Sequence, residues 1–128
     1  MKVFMNLPVA PSDNVLVEHE GNLLRVCFDF QREDVTDMEG NVVEDPVQFS
    51  CQCVDIRGEH GYGNVVGAIV NDKYSPDDVQ AITANYELAK DEESAITEEK
   101  RSEYLEEYRE FQAYRARAKE IASMVINL

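Results

Sequence analysis

The 128-residue sequence contains no tryptophan, only two histidines and only twelve lysines and arginines, against 26 aspartates and glutamates. The resulting net charge of -14 repels nucleic-acid phosphates and anionic membrane surfaces. We therefore expect no direct nucleic-acid binding and no membrane binding. Every apolar run is shorter than the roughly 18 residues that a membrane-spanning helix needs, so no segment is predicted to cross a bilayer.

Cysteine is scarce and its number is odd, since the chain has only Cys27, Cys51 and Cys53. A secreted domain held together by disulfides normally contains an even set of cysteines. The N-terminal segment MKVFMNLPVAPSD has one lysine, and Asn6 and Pro8 interrupt its short apolar run, which makes it a poor signal peptide. Together these features predict a cytoplasmic protein whose cysteines are reduced.

The length and the 44% hydrophobic content predict one domain, residues 1–128, with a core of its own. Residues 1–57 have the pattern of strands, because apolar side chains recur at every second position in LLRVCFDF and again in VQFSCQCV. The first alternation places Phe28 and Phe30 on one face and Cys27 on the other. Roughly three antiparallel strands in a meander are predicted.

The segment QREDVTDMEGNVVEDP, residues 31–46, separates two of these strands. It is acidic, it ends in a proline, and Gly40-Asn41 within it marks a turn. We predict an exposed hairpin arm or loop here.

Residues 62–128 have the pattern of helices. In NVVGAIVNDKY, residues 64–74, the apolar side chains share one helical face. SPDD, residues 75–78, predicts a helix start, because serine caps, proline suits the first turn and aspartates complement the helix dipole. A last, long helix is predicted from about Thr97 to Ile126. Strands followed by helices indicate an α+β fold, with two or three helices packed on a small antiparallel sheet.

The stretch SCQCVDIRGEHGYGNVVGA, residues 50–68, concentrates groups that could bind a metal or a phosphate. Cys51, Cys53 and His60 are the candidate metal ligands. The common zinc spacing is C-x2-C on a turn, whereas Cys51 and Cys53 lie two apart on a predicted strand, which favours buried core cysteines. The glycines do not fit G-x-G-x-x-G, and no nucleophile motif is present. We predict no metal, no cofactor and no catalytic residue.

The last helix carries an aromatic and basic stripe. A helix of about 30 residues spans about 45 Å, whereas a strand of six residues spans about 20 Å. Part of the stripe is therefore expected to contact a protein partner or a second copy of the chain, since tyrosine and arginine are enriched at interfaces. Packing on the sheet alone is the alternative. The predicted partner-binding residues are Tyr104, Tyr108, Phe111, Tyr114 and Arg115.

The segments YSPDDVQAITANYEL and EEYREFQAYRARAKEIA resemble parts of small accessory proteins in bacterial prophage tail modules. The resemblance covers roughly the last 55 residues. It implies an assembly or accessory role and carries over no catalytic residue.

Three hypotheses follow for the function. The first is a small, non-enzymatic protein that acts through protein–protein contact at the last helix. The second is an acidic mimic of nucleic acid that inhibits a DNA-binding protein, and the third is a metal-binding or enzymatic protein centred on Cys51, Cys53 and His60. The acidic face of the mimic would include Asp34, Asp37, Glu39, Glu44 and Asp45.

Overall fold

Four β-strands form a single antiparallel sheet in the computed structural model, which describes residues 1–127. In the order in which they lie side by side they are β1 (Lys2–Asn6), β4 (Val42–Arg57), β3 (Leu23–Thr36) and β2 (Val15–Glu20). The helices are α1 (Tyr62–Lys73), α2 (Pro76–Lys90) and α3 (Glu98–Ile126). The predicted α+β fold is confirmed, with the strands first, the helices second and the last helix the longest.

The edge strand β1 is not among the strands predicted from the sequence. It pairs with β4, where Val3 lies opposite Cys51 and Met5 opposite Phe49. Its alternation of exposed and half-buried residues is that of an edge strand, but it is only five residues long. The chain then crosses to β2 at the other edge through a single 3-10 turn, Ser12–Asn14.

One face of the sheet packs against the helices. Leu24, Val26 and Phe28 of β3 point towards this face, as the alternation in the sequence predicts. Their neighbours in the core come from β4 and all three helices, and include Val54, Ile56, Val65, Ile69, Ile82, Phe111 and Ile121. This core holds the largest fully buried side chains of the described residues.

The prediction that Phe28 and Phe30 share a face is wrong. Asp29, between them, has a left-handed backbone with a φ of 56°, and the β3–β4 register shifts between Phe28 and Gln31. An extra residue in one strand reverses the facing of every side chain beyond it. Phe30 therefore packs with Cys27 on the face away from the main core.

The predicted helix starts are confirmed. Ser75 accepts a hydrogen bond from the backbone N–H of Asp78, and the Asp78 carboxylate accepts one from the N–H of Ser75, which forms a reciprocal capping box. At the start of α3, the Thr97 hydroxyl accepts a hydrogen bond from the N–H of Lys100, without the reciprocal bond seen at α2. The Arg101 guanidinium donates to carbonyl oxygens near the end of α2, including that of Ala89 at 2.7 Å, and so ties α2 to α3.

The long last helix is covered by α1 and α2 as well as by the sheet. Its first half contacts these two helices, where Phe111 packs edge-on against Tyr74 of the α1–α2 connection. Ala118, Ile121 and Val125 in its second half belong to the core cluster shared with the sheet. The two shorter helices thus supply part of the surface against which the last helix packs.

Candidate functional site

Cys27 and Cys53 lie directly opposite each other on β3 and β4, with their Cα atoms 4.2 Å apart, and are joined by a disulfide. The expectation that all cysteines are reduced is therefore wrong for this pair. The reason is register, since neighbouring strands bring directly opposite side chains within bonding distance. An odd number of cysteines still allows one bonded pair, and the cysteine argument for a cytoplasmic location no longer holds.

Cys51 completes a cluster of three sulfur atoms. Its Sγ lies 3.7 Å from the Sγ of Cys53, and all three cysteines are buried. The cysteines pack with Phe30 and Phe49 on the face away from the helices. Burial raises the pKa of the Cys51 thiol, because a thiolate loses its hydration there. The prediction that Cys51 and Cys53 are buried side chains of the sheet agrees with this arrangement.

His60, the third metal candidate from the sequence, is not part of this cluster. Its Nε2 lies 2.9 Å from the carbonyl oxygen of Asn22, in the turn between β2 and β3, and its ring centroid is 6.3 Å from that of His19. Within residues 1–127, the one group of three or more potential ligands is Cys27, Cys51 and Cys53.

The register of the β3–β4 hairpin is the signal that could have placed Cys27 near Cys51 and Cys53. Near the turn, Thr36 lies opposite Val42, and counting back from this pair without irregularities would place Cys27 opposite Cys51. Two register shifts move the partner of Cys27 to Cys53. The hairpin count alone thus places the three cysteines near one another, although it does not identify the bonded pair.

The five residues predicted to bind a partner have contacts within the chain. Phe111 is buried, with 4% of its surface exposed, and Tyr108 stacks on Tyr86 with ring centroids 3.7 Å apart. Tyr104 is half-buried and lies below the Lys100 ammonium. Phe111 and Tyr108 therefore support packing between the helices, whereas the contact of Tyr104 lies within α3. Partner contact at this surface stays a prediction.

Tyr114 and Arg115 also contact their own domain. The Tyr114 hydroxyl donates to the carbonyl oxygen of Ile69 at 3.5 Å, and the Lys73 ammonium lies 4.6 Å from its ring centroid. Burial, followed by the charges of nearby aspartates, raises the pKa of Tyr114 to about 12. The Arg115 guanidinium donates to Gln112 and lies over the Phe111 ring.

A polar cleft lies between the sheet and the helices, beside Tyr114. Its walls include Asp29, Asp72 and Lys73, and the Asp29 carboxylate accepts a hydrogen bond from Arg117 at 3.3 Å. Neither histidine lines this cleft. Charged groups therefore pair with one another in this cleft, at the edge of the core. No histidine lies there that could act as a general base.

The hairpin extends beyond the rest of the sheet. β2 pairs with β3 only up to Phe28, and β1 pairs with β4 only from Gln48 onwards. Residues 33–47, which we call the arm, form a two-stranded ribbon with its turn, and none of them is buried. The predicted exposed hairpin arm is thereby confirmed.

The tip of the arm has a defined shape. The Asp37 carboxylate accepts hydrogen bonds from the N–H groups of Glu39 and Asn41, and Gly40 supplies the left-handed φ of 86° that the turn requires. Met38 is fully exposed at this tip, and the side chain of Val42 beside it is 63% exposed. The tip thus presents the apolar side chain of Met38 on an ordered turn and that of Val42 at the start of β4.

The arm is also strongly acidic. Its fifteen residues contain six carboxylates and no lysine or arginine. All the residues named for an acidic mimic lie on it, namely Asp34, Asp37, Glu39, Glu44 and Asp45.

Comparison with protein-family models, curated proteins and solved structures finds no match for the chain. None of the helices within residues 1–127 has a stretch long and apolar enough to cross a membrane.

Proposed function

We propose that the protein acts through protein–protein contact rather than catalysis, and that the arm is the part that contacts the partner. The observation that carries this proposal is a ribbon of fifteen residues of which none is fully buried, although Val47 at its base packs against the cluster around the cysteines. A two-stranded ribbon is marginally stable by itself, because it has no second layer to cover it. A partner surface supplies that layer.

The composition of the arm defines the chemistry of the partner. Six carboxylates on a ribbon that lacks basic residues favour a basic surface, which accelerates encounter and fixes orientation. Met38 and Val42 at the tip suit an apolar pocket at the centre of that surface, since methionine adapts to irregular pockets. The partner is thus a basic protein with an apolar pocket.

An exposed arm that contacts another protein fits an assembly or accessory role. The resemblance of the last 55 or so residues to prophage tail accessory proteins supports the same role. Contact through Tyr104 and Arg115, the half-buried residues at the ends of the helical stripe, belongs to this proposal as a second surface.

The acidic nucleic-acid mimic is the second candidate function. It is favoured by one observation, which is that Asp34, Asp37, Glu39, Glu44 and Asp45 lie together on an exposed element. In this case the basic surface of the partner is its DNA-binding site. The two candidates differ in whether nucleic acid competes for the partner.

The test uses two double variants with the same change in charge. Partners of the full-length protein are captured at low salt and identified, and the affinity of the purified partner is then measured for each variant. Glu39→Lys with Glu44→Lys changes the arm, whereas Glu92→Lys with Glu93→Lys changes the exposed α2–α3 connection. We expect the arm variant to lose at least about tenfold in affinity and the connection variant to bind almost as tightly as the wild type.

A third variant, Met38→Ser, separates apolar contact from charge. It is expected to weaken binding at both low and high salt if the tip enters an apolar pocket, because salt screens charges and leaves apolar contact in place. Equal affinity for all three variants would contradict binding through the arm. Competition by double-stranded DNA would favour the mimic over the assembly protein.

A further inference from the structure

The cysteine cluster combines three soft donor atoms in a small volume. The Sγ atoms of Cys27, Cys51 and Cys53 all lie within 4.8 Å of one another. Two adjacent strands supply them, so the backbone that holds the sulfur atoms is part of the hydrogen-bonded ladder. No movement of a loop or a helix is needed to bring them together.

The spacing of the free cysteine matches that of metal-bound sulfur atoms. When two thiolates bind the same ion at about 2.3 Å each, trigonal or tetrahedral geometry places their sulfur atoms about 3.8 to 4.0 Å apart. The Sγ atoms of Cys51 and Cys53 are 3.7 Å apart. Cys27 is closer to Cys53 because the two are bonded, and breaking that bond lets the side chains separate to a similar distance.

We propose that Cys27, Cys51 and Cys53, once the disulfide is reduced, form a three-thiolate binding site for a single copper(I) ion. Thiolate ligands select soft ions such as copper(I), zinc and iron–sulfur clusters. Structural zinc sites almost always have four ligands, whereas His60, the histidine that the sequence offers as a fourth ligand, binds the β2–β3 turn instead. Copper(I) accepts three sulfur ligands, which is the number that the cluster provides.

The residues around the cluster also favour the binding of copper(I). Phe30 and Phe49 are buried beside it, and Val3, Met5 and Leu16 pack against it. These apolar side chains limit the access of water to one side of the cluster. Cys51 also lines the polar cleft beside Tyr114, which leaves a route for a reductant and for the ion. Direct coordination deprotonates a thiol outright, so the raised pKa of Cys51 does not prevent binding.

Reduction controls access to the site. A dithiol of the thioredoxin class, or dithiothreitol in the laboratory, gives up two electrons and two protons and closes its own disulfide. The Cys27–Cys53 bond breaks, and each of its sulfur atoms gains one of the protons. Copper(I) then replaces the thiol protons, which leave to solvent.

The test is an anaerobic titration of the full-length, reduced protein with copper(I) held by bicinchoninate, whose coloured complex fades as the ion is transferred. We expect one copper(I) per chain. Cys51→Ser keeps the disulfide pair but lacks one ligand, and we expect its affinity to fall by at least about 100-fold. His60→Ala is the matched control and is expected to bind as tightly as the wild type, because His60 lies outside the cluster.

X-ray absorption of the loaded wild-type protein provides a measurement that does not depend on a variant. We expect only sulfur atoms, three of them, in the first coordination shell. Nitrogen or oxygen ligands, a wild-type protein that leaves the ion with bicinchoninate, or equal binding by Cys51→Ser would each overturn the proposal. Equal binding by the unreduced protein would overturn it as well, because one bonded pair leaves a single thiol.

Discussion

Tyr114 shows at the scale of one residue that a side chain predicted to contact a partner also packs within its own domain. The sequence predicts it as a partner-binding residue, and in the structure its ring lies edge-on to Tyr74 with centroids 5.7 Å apart. Its hydroxyl reaches the backbone of α1. The energetic consequence is a phenol that resists ionisation, because burial disfavours the phenolate.

The stability of the fold therefore depends on pH in the alkaline range. The pKa of Tyr114 is raised from 10.0 to about 12 in the folded chain. Its contribution to stability is full below pH 10 and is lost as the pH rises towards 12, because the unfolded chain loses the phenolic proton first. Tyr114→Phe cannot ionise, so we expect its urea midpoint to fall less steeply than that of the wild type between about pH 9 and about pH 11. Parallel curves for the two proteins would contradict this assignment.

At the scale of the element, the start of α2 is encoded by four consecutive residues. Ser75 and Asp78 exchange hydrogen bonds between side chain and backbone, Pro76 begins the helix, and Asp77 adds a negative charge near its N-terminus. Each of these interactions is local, so the sequence is sufficient to predict the boundary. The same holds for Thr97 at the start of α3.

The capping serine is expected to contribute measurably to stability. Ser75→Ala should lower the free energy of unfolding by about 1 kcal/mol, because the N–H of Asp78 loses its partner. Ser102→Ala, at an exposed position inside α3, is the matched control and should change it by less than about 0.5 kcal/mol. Urea unfolding followed by circular dichroism measures both, and equal effects of the two substitutions would argue against the cap.

At the scale of the whole molecule, the domain divides into a packed body and the arm. The body contains both clusters of buried residues, whereas the arm contains none. This division separates stability from the proposed contact with a partner. The net charge of -14 also acts at this scale, because carboxylates on an exposed ribbon discourage pairing between copies of the chain.

Removal of the arm tests this division. Replacing residues 34–47 with an Asn-Gly turn connects Glu33 to Gln48, which already lie opposite each other. We expect the free energy of unfolding to fall by no more than about 2 kcal/mol, because no fully buried side chain is lost and the half-buried Val47 is the main apolar contact removed. Thermal and urea unfolding provide the measurement, and loss of cooperative unfolding would show that the arm belongs to the folding unit.

The sequence determined the features of this protein that depend on local chemistry. Helical spacing, the caps at Ser75 and Thr97, the turn at Gly40 and the exposed acidic hairpin were all predictable from neighbouring residues. The α+β class followed from their order along the chain. The short edge strand β1 was missed, because its stability comes from pairing with β4 rather than from its own five residues.

Only the tertiary structure decided which side chains meet. The left-handed backbone at Asp29 turned Phe30 to the opposite face, and two register shifts placed Cys27 beside Cys53. The sequence also does not show that α1 and α2 pack against part of the aromatic stripe of α3, and contact of this stripe with a partner stays a prediction. In each case the deciding contact joins residues far apart in the chain, and a shift of one residue in register changes the outcome.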